Sequence, residues 1–570
     1  MKIVKLICWL ALVTGGMPVS ASETTLYING KVLTANESFE VVEAFSVEAN
    51  RFGILGSTEE VMARKSESDR VVDLGGRTVI PGLIDNHNHF IRGAQHWDTL
   101  VRLDGVKTRS QAVSMLKDEA STLAQGQWLL ALGGWNEQQF VDKAHGFSRA
   151  ELDEITSAPV FLQSQYSHAF VNSAFLSYFK IPISSSESEF GPDHPILGPP
   201  LAALVERDEE GKATGRINGG LMMVIQVGLR MPVVSPARAM TATRHAQTDY
   251  NAMGLTSVYD PAGGLTTDEM YHSVEALAES GDLTLRTFRT VWVQPRDDET
   301  VAQTLDLINA TPPMLTGTDF YDTIGVGEAL YMPLHDSAGE IPEITEEARE
   351  HVEALVGSML KRGFPIQIHA VNEATIDFYL DVLESFNKQD PLKPGFVTIT
   401  HAEGVTEQLL NRMAEIGVTV QVRSARVVNS RSSLVAELGD AALADPPLRV
   451  LAESEVIWGL GTDGTKAAQI NPMITLSWAV TGRAINGDTI LSREQRLTRE
   501  EALVAHTRNN AALLFRADRL GQIAPNYLAD FVVLNRDYLT VPETEIEDLK
   551  PVLTVVDGSV VYGNPLPEVP

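Results

Sequence analysis

The sequence predicts an α/β protein built on a (β/α)8 TIM-like barrel, and three observations lead there. Apolar runs ending in polar or glycine residues recur near 80–87, 255–260, 286–294, 323–330, 365–369, 396–401, 418–422 and 456–462, enough for the eight strands of a closed barrel. Stretches with apolar residues at helical spacing separate most of them, as in Glu373 to Glu384. That alternation marks a parallel sheet wrapped in helices. The two chain ends have another texture: Thr25–Leu33, Ala44–Gly56, Ala529–Leu534 and Val552–Tyr562 read as short strands between turn residues, predicting one small β-sandwich domain assembled from both ends.

In chain order, residues 1–21 read as a signal peptide. Lys2 and Lys5 precede the apolar run Leu6–Val13, and small residues at Val19-Ser20-Ala21 suit cleavage after Ala21. Residues 22–78 and 516–570 form the two halves of the end domain, and 79–515 the barrel. The gap between the first two strand candidates is far too long for one crossover, so an insertion over about 98–222 is expected, with its own strands at Trp128–Gly134 and Pro159–Gln163. No later run reaches the roughly 20 apolar residues of a membrane span. A periplasmic or secreted protein follows.

With 570 residues the chain can bury large cores. Its net charge of −30, without a basic run, argues against nucleic acid as a partner. The only cysteine, Cys8, falls within the signal, so a mature chain has neither a disulfide nor a thiolate metal site. Any metal must be held by His, Asp and Glu. The partner expected is a small-molecule substrate, with assembly into a homo-oligomer left open.

Ligands of that type sit at the predicted strand ends. In an extended strand residues i and i+2 face the same side, so His87 and His89 can point together at one ion. His369 and His401 end the fifth and sixth candidates, 32 residues apart as one strand–helix unit requires, and Asp463 ends the eighth. In a barrel the C-terminal strand ends converge on one face. Each residue alone has an ordinary structural explanation, a hydrogen-bonded histidine or a turn aspartate; their common register favours a metal.

These residues, with Val79–His89, Gly133-Gly134-Trp135-Asn136, Ser167–Ala174, Gly254–Asp260, His369-Ala370, His401-Ala402, Gly461-Thr462-Asp463 and Gly521–Leu534, resemble the metal-dependent amidohydrolase superfamily, in particular the branch of N-substituted formamide deformylase-like enzymes. The resemblance implies a (β/α)8 barrel with a metal centre at its mouth: His87 and His89 on one metal, His369 and His401 on a second, and Asp463 on the first while serving as base. Many superfamily members carry a carboxylated lysine at the fourth strand, whereas this chain has Thr323-Ile324-Gly325-Val326-Gly327-Glu328. Glu328 can supply the bridging carboxylate directly; as a structural acid it would leave one metal only. The cofactor expected is a divalent metal, zinc by its His and carboxylate donors, one or two per chain.

His168 is a candidate for contacting the substrate carbonyl or, equally, for anchoring the insertion. Trp135 and Glu137 are candidate pocket residues, and His335 and Asp336 candidate entrance residues. The function expected is metal-activated hydrolysis of a non-peptide C–N bond in an amide, formamide or cyclic amide. Lactone or ester hydrolysis on the same site, a periplasmic binding protein without turnover, and a metal-assisted decarboxylase or isomerase are the alternatives.

Overall fold

The computed structural model describes residues 24–184, 199–264 and 266–569; the signal peptide expected over 1–21 lies outside them. At the centre is an eight-stranded parallel sheet whose strands follow one another in chain order: β1 (Leu83–Asp85), β2 (Leu255–Asp260), β3 (Arg286–Val291), β4 (Tyr321–Val326), β5 (Ile366–Ala370), β6 (Val397–His401), β7 (Thr419–Arg423) and β8 (Trp458–Gly461). Each pairs in parallel with the next. Seven of these match their sequence candidates closely. The first differs: the run expected as one strand divides into Thr78–Pro81, which pairs with Lys31–Leu33 and Phe531–Leu534, and the short barrel strand β1. An apolar run carries no mark of which sheet each half joins, so a strand serving two sheets reads as one.

Helices such as Glu346–Arg362 and Glu373–Asn387 cover the barrel's outside. Thr345 caps the first of these by accepting from Ala348 N, and the residues it buries recur at helical spacing: Ala348, Val352, Leu355, Val356 and Met359.

β1 and β8 approach at the seam of the barrel, where polar groups join them. The buried Asn510 amide donates to Ile84 O (2.6 Å) and Leu460 O (2.7 Å), and its Oδ1 accepts from Asn86 Nδ2 (2.7 Å). Gly459 makes room for it, since a Cβ there would lie 1.9 Å from Asn510 Oδ1. Just beyond the strands, Asp463 N donates to His87 O (2.8 Å), and the Asp85 carboxylate accepts from Thr462 N (3.0 Å), Thr462 Oγ1 (2.5 Å) and Asn88 Nδ2 (2.8 Å). The loops after the first and last strands are therefore held as one unit.

The chain ends form a six-stranded and a four-stranded sheet that share a core of Tyr27, Phe45, Phe52 and Phe531. Arg286 at the start of β3 is fully buried and meets Asp530 (2.8 Å) and Asp557 (3.0 Å) of the C-terminal segment. Between β1 and β2 the chain builds a five-stranded sheet containing Leu129–Leu132, Val160–Ser164 and His168–Val171. Trp135 packs there with Phe140, Phe147 and Phe170.

Asn510→Ala strands several buried polar groups at the seam, each costing about 1–3 kcal/mol. A clear fall in the thermal unfolding temperature by scanning calorimetry is expected; an unchanged temperature would show that the seam closes without Asn510.

Candidate metal centre

The C-terminal ends of β1, β4, β5, β6 and β8 deliver six buried side chains to one place. Glu328 lies at their middle. Its Oε2 is 3.3 Å from His87 Nε2, 3.2 Å from His401 Nε2 and 3.8 Å from His369 Nδ1, and its Oε1 is 3.6 Å from His89 Nε2. Asp463 Oδ1 stands 3.2 Å from His89 Nε2 and 3.7 Å from His87 Nε2. Three overlapping trios (His87, His89, Glu328; Glu328, His369, His401; His87, His401, Asp463) each hold their ligand atoms within 4.8 Å of one another. Both histidine pairs thus share the Glu328 carboxylate.

The donor set fits a divalent cation. His87 Nε2, His369 Nδ1 and Glu328 Oε2 are buried with no hydrogen-bond partner, a costly state unless a bound ion completes them. The opposite ring nitrogens are occupied: His89 Nδ1 by Ala262 O (2.7 Å), His369 Nε2 by Asp336 O (2.7 Å) and His87 Nδ1 by Gln421 Oε1 (3.5 Å). Such outer contacts orient imidazoles so that the free nitrogen faces a metal.

The electrostatics divide the two carboxylates. Burial alone would raise Asp463, but its hydrogen bond with His89 and the charge of Arg423 hold it far below the usual carboxylate range. Arg423 Nη1 donates to Asp463 Oδ2 (2.7 Å) while its Nε donates to Glu403 (2.9 Å). Glu328 is also held well below its ordinary value against burial, by the charge of His87 and the close approach of His369 and His401. His369 is opposed by burial but raised to about 9 by its bonds with Asp336 and Glu328, whereas burial drives His401 down to about 3.

His87, His89, Glu328, His369, His401 and Asp463 are thus brought together. His168 and Glu137 instead pair with each other (3.1 Å), and Ser167 Oγ lies 2.8 Å from His168 Nδ1. Neither residue, nor Trp135, shares a hydrogen bond or ion pair with the six. Asp336 does not stand at an entrance. It is 3% exposed, its carboxylate accepts from Val371 N and Asn372 N (both 2.8 Å), and it meets the His369 ring edge at Nε2 (3.4 Å), while the ring itself stacks with His335 at 3.7 Å.

Sequence reading did not single out Arg423 or Tyr166. Arg423 could have been noticed as a charge ending the apolar β7, and Tyr166 by its place beside His168. Tyr166 lies close enough to the centre for its phenol, raised chiefly by burial, to feel both Asp463 and Glu328.

An eight-stranded parallel barrel with four imidazoles and two carboxylates converging at its mouth defines a metal-dependent hydrolase. The model of the amidohydrolase family matches residues 70–562, and the chain belongs to that family. It is similar to Protein LONG AFTER FAR-RED 3 of Arabidopsis thaliana (24% identical, covering 92% of this chain and 90% of that one) and to N-substituted formamide deformylase of Arthrobacter pascens (24%, 94% and 98%). A crystal structure of an uncharacterized metal-dependent hydrolase from Pyrococcus horikoshii OT3 shares the fold, with TM-score 0.62, 20% identity, and coverage of 92% of this chain and 99% of that one.

With its pKa raised from 6.5 to about 9, His369 keeps a proton in the metal-free protein that metal must expel. That proton stabilises the metal-free fold fully below 6.5 and ceases to do so as pH rises through about 9. Metal affinity should therefore climb with pH, by up to about tenfold per unit between 7 and 9, in competition titrations against a chelator. Asp336→Asn, which removes the charge beside His369, should weaken metal binding by about 10–100-fold in the same titration; unchanged affinity would deny Asp336 a positioning role.

Proposed function

We propose that this protein hydrolyses a small non-peptide C–N bond in an amide, formamide or cyclic amide, at a centre of two divalent metals held by His87, His89, Glu328, His369, His401 and Asp463. The observation that carries the reading is the position of Glu328 between the two histidine pairs, with Asp463 held ionised beside the first. Imidazole and carboxylate donors suit zinc, which when bound acidifies water and polarises the substrate carbonyl.

The chain's own groups account for the proton transfers. Asp463, kept anionic by Arg423, accepts a proton from the attacking water at Oδ1, and Oδ1 returns it to the leaving nitrogen as the C–N bond breaks. One water is consumed, and a carboxylic acid and an amine are formed, as two molecules from an open-chain amide or formamide and as one ring-opened molecule from a cyclic amide. Arg423 fixes the orientation of Asp463 from its far oxygen, so the base does not swing away when it is protonated. His401 Nε2 lies 3.2 Å from Glu328 Oε2, the shortest of the histidine approaches to that carboxylate, and would hold a metal together with it. His168, backed by Glu137, is the insertion's polar contribution to the pocket, carried by a sheet whose aromatic core includes Trp135.

Similarity to a formamide deformylase along nearly the whole of both chains supports the amide class. We further assign residues 1–21 as an export signal and the two end-built sheets as a β-sandwich under the barrel. Sequencing the N-terminus of protein recovered from the periplasm or medium should show Ser22 first.

Asp463→Ala in metal-loaded protein should abolish turnover across a panel of N-formyl, N-acyl, cyclic amide and lactone compounds while leaving the circular dichroism spectrum intact. Retained turnover would remove the base assignment, and turnover of lactones alone would replace the amide reading. Elemental analysis of the purified protein should give about two metals per chain; a firm value of one would leave Glu328 a ligand but not a bridge.

A further inference from the structure

His89 is held by a buried carboxylate that the hydrolytic reading leaves unused. Asp260 ends β2 and is fully buried. β2 pairs in parallel with β1, and the pairing runs on past β1, where Asn88 N donates to Tyr259 O (2.8 Å). His89 and Asp260 are the next residues of the two segments.

The two oxygens of Asp260 have separate tasks. Oδ2 accepts from Ile91 N (2.9 Å), two residues beyond His89 in the first turn of the short helix Phe90–Ala94. Oδ1 accepts from Ala262 N (2.8 Å), closing the turn that an aspartate makes with its own backbone two residues on. There Ala262 adopts a left-handed φ of 62°, a conformation that persists in a non-glycine residue only where its surroundings enforce it. The same turn aims Ala262 O at His89 Nδ1, 2.7 Å away. A carbonyl oxygen only accepts, so Nδ1 carries the ring's proton and Nε2 keeps its lone pair. His89 Nε2 is the atom that faces Asp463 and Glu328.

The other histidine pair has a counterpart. The Asp336 carboxylate accepts from Val371 N and Asn372 N, two and three residues beyond His369, and Asp336 O lies 2.7 Å from His369 Nε2. In both places a buried carboxylate grips the backbone just after a histidine, and a carbonyl from the carboxylate's own segment meets the ring nitrogen turned away from Glu328.

We propose that Asp260 is the positioning residue for His89, fixing the tautomer and direction in which Nε2 can hold a metal, so that each half of the centre has its own clamp, Asp260 on the first and Asp336 on the second. This rests on the two-metal reading and deepens it. The geometry asks for a carboxylate and not only for a side chain of that size. Asparagine has one oxygen, so its amide N–H groups would face either Ile91 N or Ala262 N, donor against donor.

The test is a double-mutant cycle on the full chain, read as metal affinity in competition with a chelator. Asp260→Asn should weaken one metal by about 10–100-fold and leave the other within about twofold. In a His89→Ala background the same change should have no further effect, whereas Asp336→Asn should still weaken the remaining metal. Unchanged affinity in Asp260→Asn would overturn the proposal. So would an equal loss at both metals, or a loss of the same size in the His89→Ala background, since a general loosening of the barrel produces either.

Hydrogen exchange of the unaltered chain gives a second measurement that needs no variant. Stripped of metal by a chelator, the chain should already exchange the Ile91 and Ala262 amides at least about a hundredfold more slowly than an unfolded chain does, with little change on adding zinc. Fast exchange that slows only with zinc would overturn the proposal, because the metal would then be ordering the clamp. The two readings fail separately. A chain that takes up no zinc sinks the metal centre while the protection of these amides remains measurable, and two tightly held metals with both amides unprotected sink the clamp alone.

Discussion

Two carboxylates and four imidazoles are buried within a few ångströms of one another, and the rest of the site is arranged around the electrostatics of that burial. Asp463 has a fixed cation in Arg423, whereas Glu328 has none: among the described residues its charged neighbours are His87, His89, His369 and His401 alone. Imidazoles can neutralise a buried carboxylate only by taking up protons, and burial works against that at His87 and His401. His369, with Asp336 beside it, is instead raised and holds a proton. A divalent cation relieves the whole set together, because it meets the charge of Glu328 and uses the unpartnered lone pairs of the rings.

Such a cluster needs a scaffold whose strand ends do not move apart, and the seam of the barrel is where that could fail. Three of the six groups, His87, His89 and Asp463, sit on the loops flanking it. Asn510 joins the strands themselves, while Asp85 and the Asp463 N–H to His87 O bond tie the loops beyond them. His401 and Asp463 also adopt left-handed backbone angles, with φ of 75° and 63°. Non-glycine residues hold that conformation at a cost that surrounding contacts must offset. At both positions it turns the side chain inward at the point where the chain leaves the barrel.

Much of this was legible in the sequence because it depends on local pattern. An apolar run ending in His or Asp states both the strand and the donor at its end, which is why β5, β6 and β8 could be read with their ligands. Glu328 was legible by substitution chemistry, as a carboxylate where a lysine was expected. Groups that act through distant partners were not legible. Asp336 supports His369 from 33 residues away and Arg423 reaches Asp463 across 40, and neither spacing has a pattern. His87 and His89 were expected on an extended strand, yet barrel strand β1 ends at Asp85, and their shared direction comes from the Asp85 and Asp463 contacts instead. Trp135 illustrates the limit of motif reading: its ring packs in the aromatic core of the inserted sheet.

The six candidate donors all follow the C-terminal ends of barrel strands, while groups outside that set come from elsewhere: Tyr166 from a turn of the inserted sheet and Arg92 from the short helix after β1. Donors are confined by coordination geometry and by the seam, so few exchanges are tolerated. The flanking groups have no such constraint, since loops and an inserted sheet can change without opening the barrel. One barrel and one set of strand-end donors can therefore serve different substrates by exchange of the loops and the insertion.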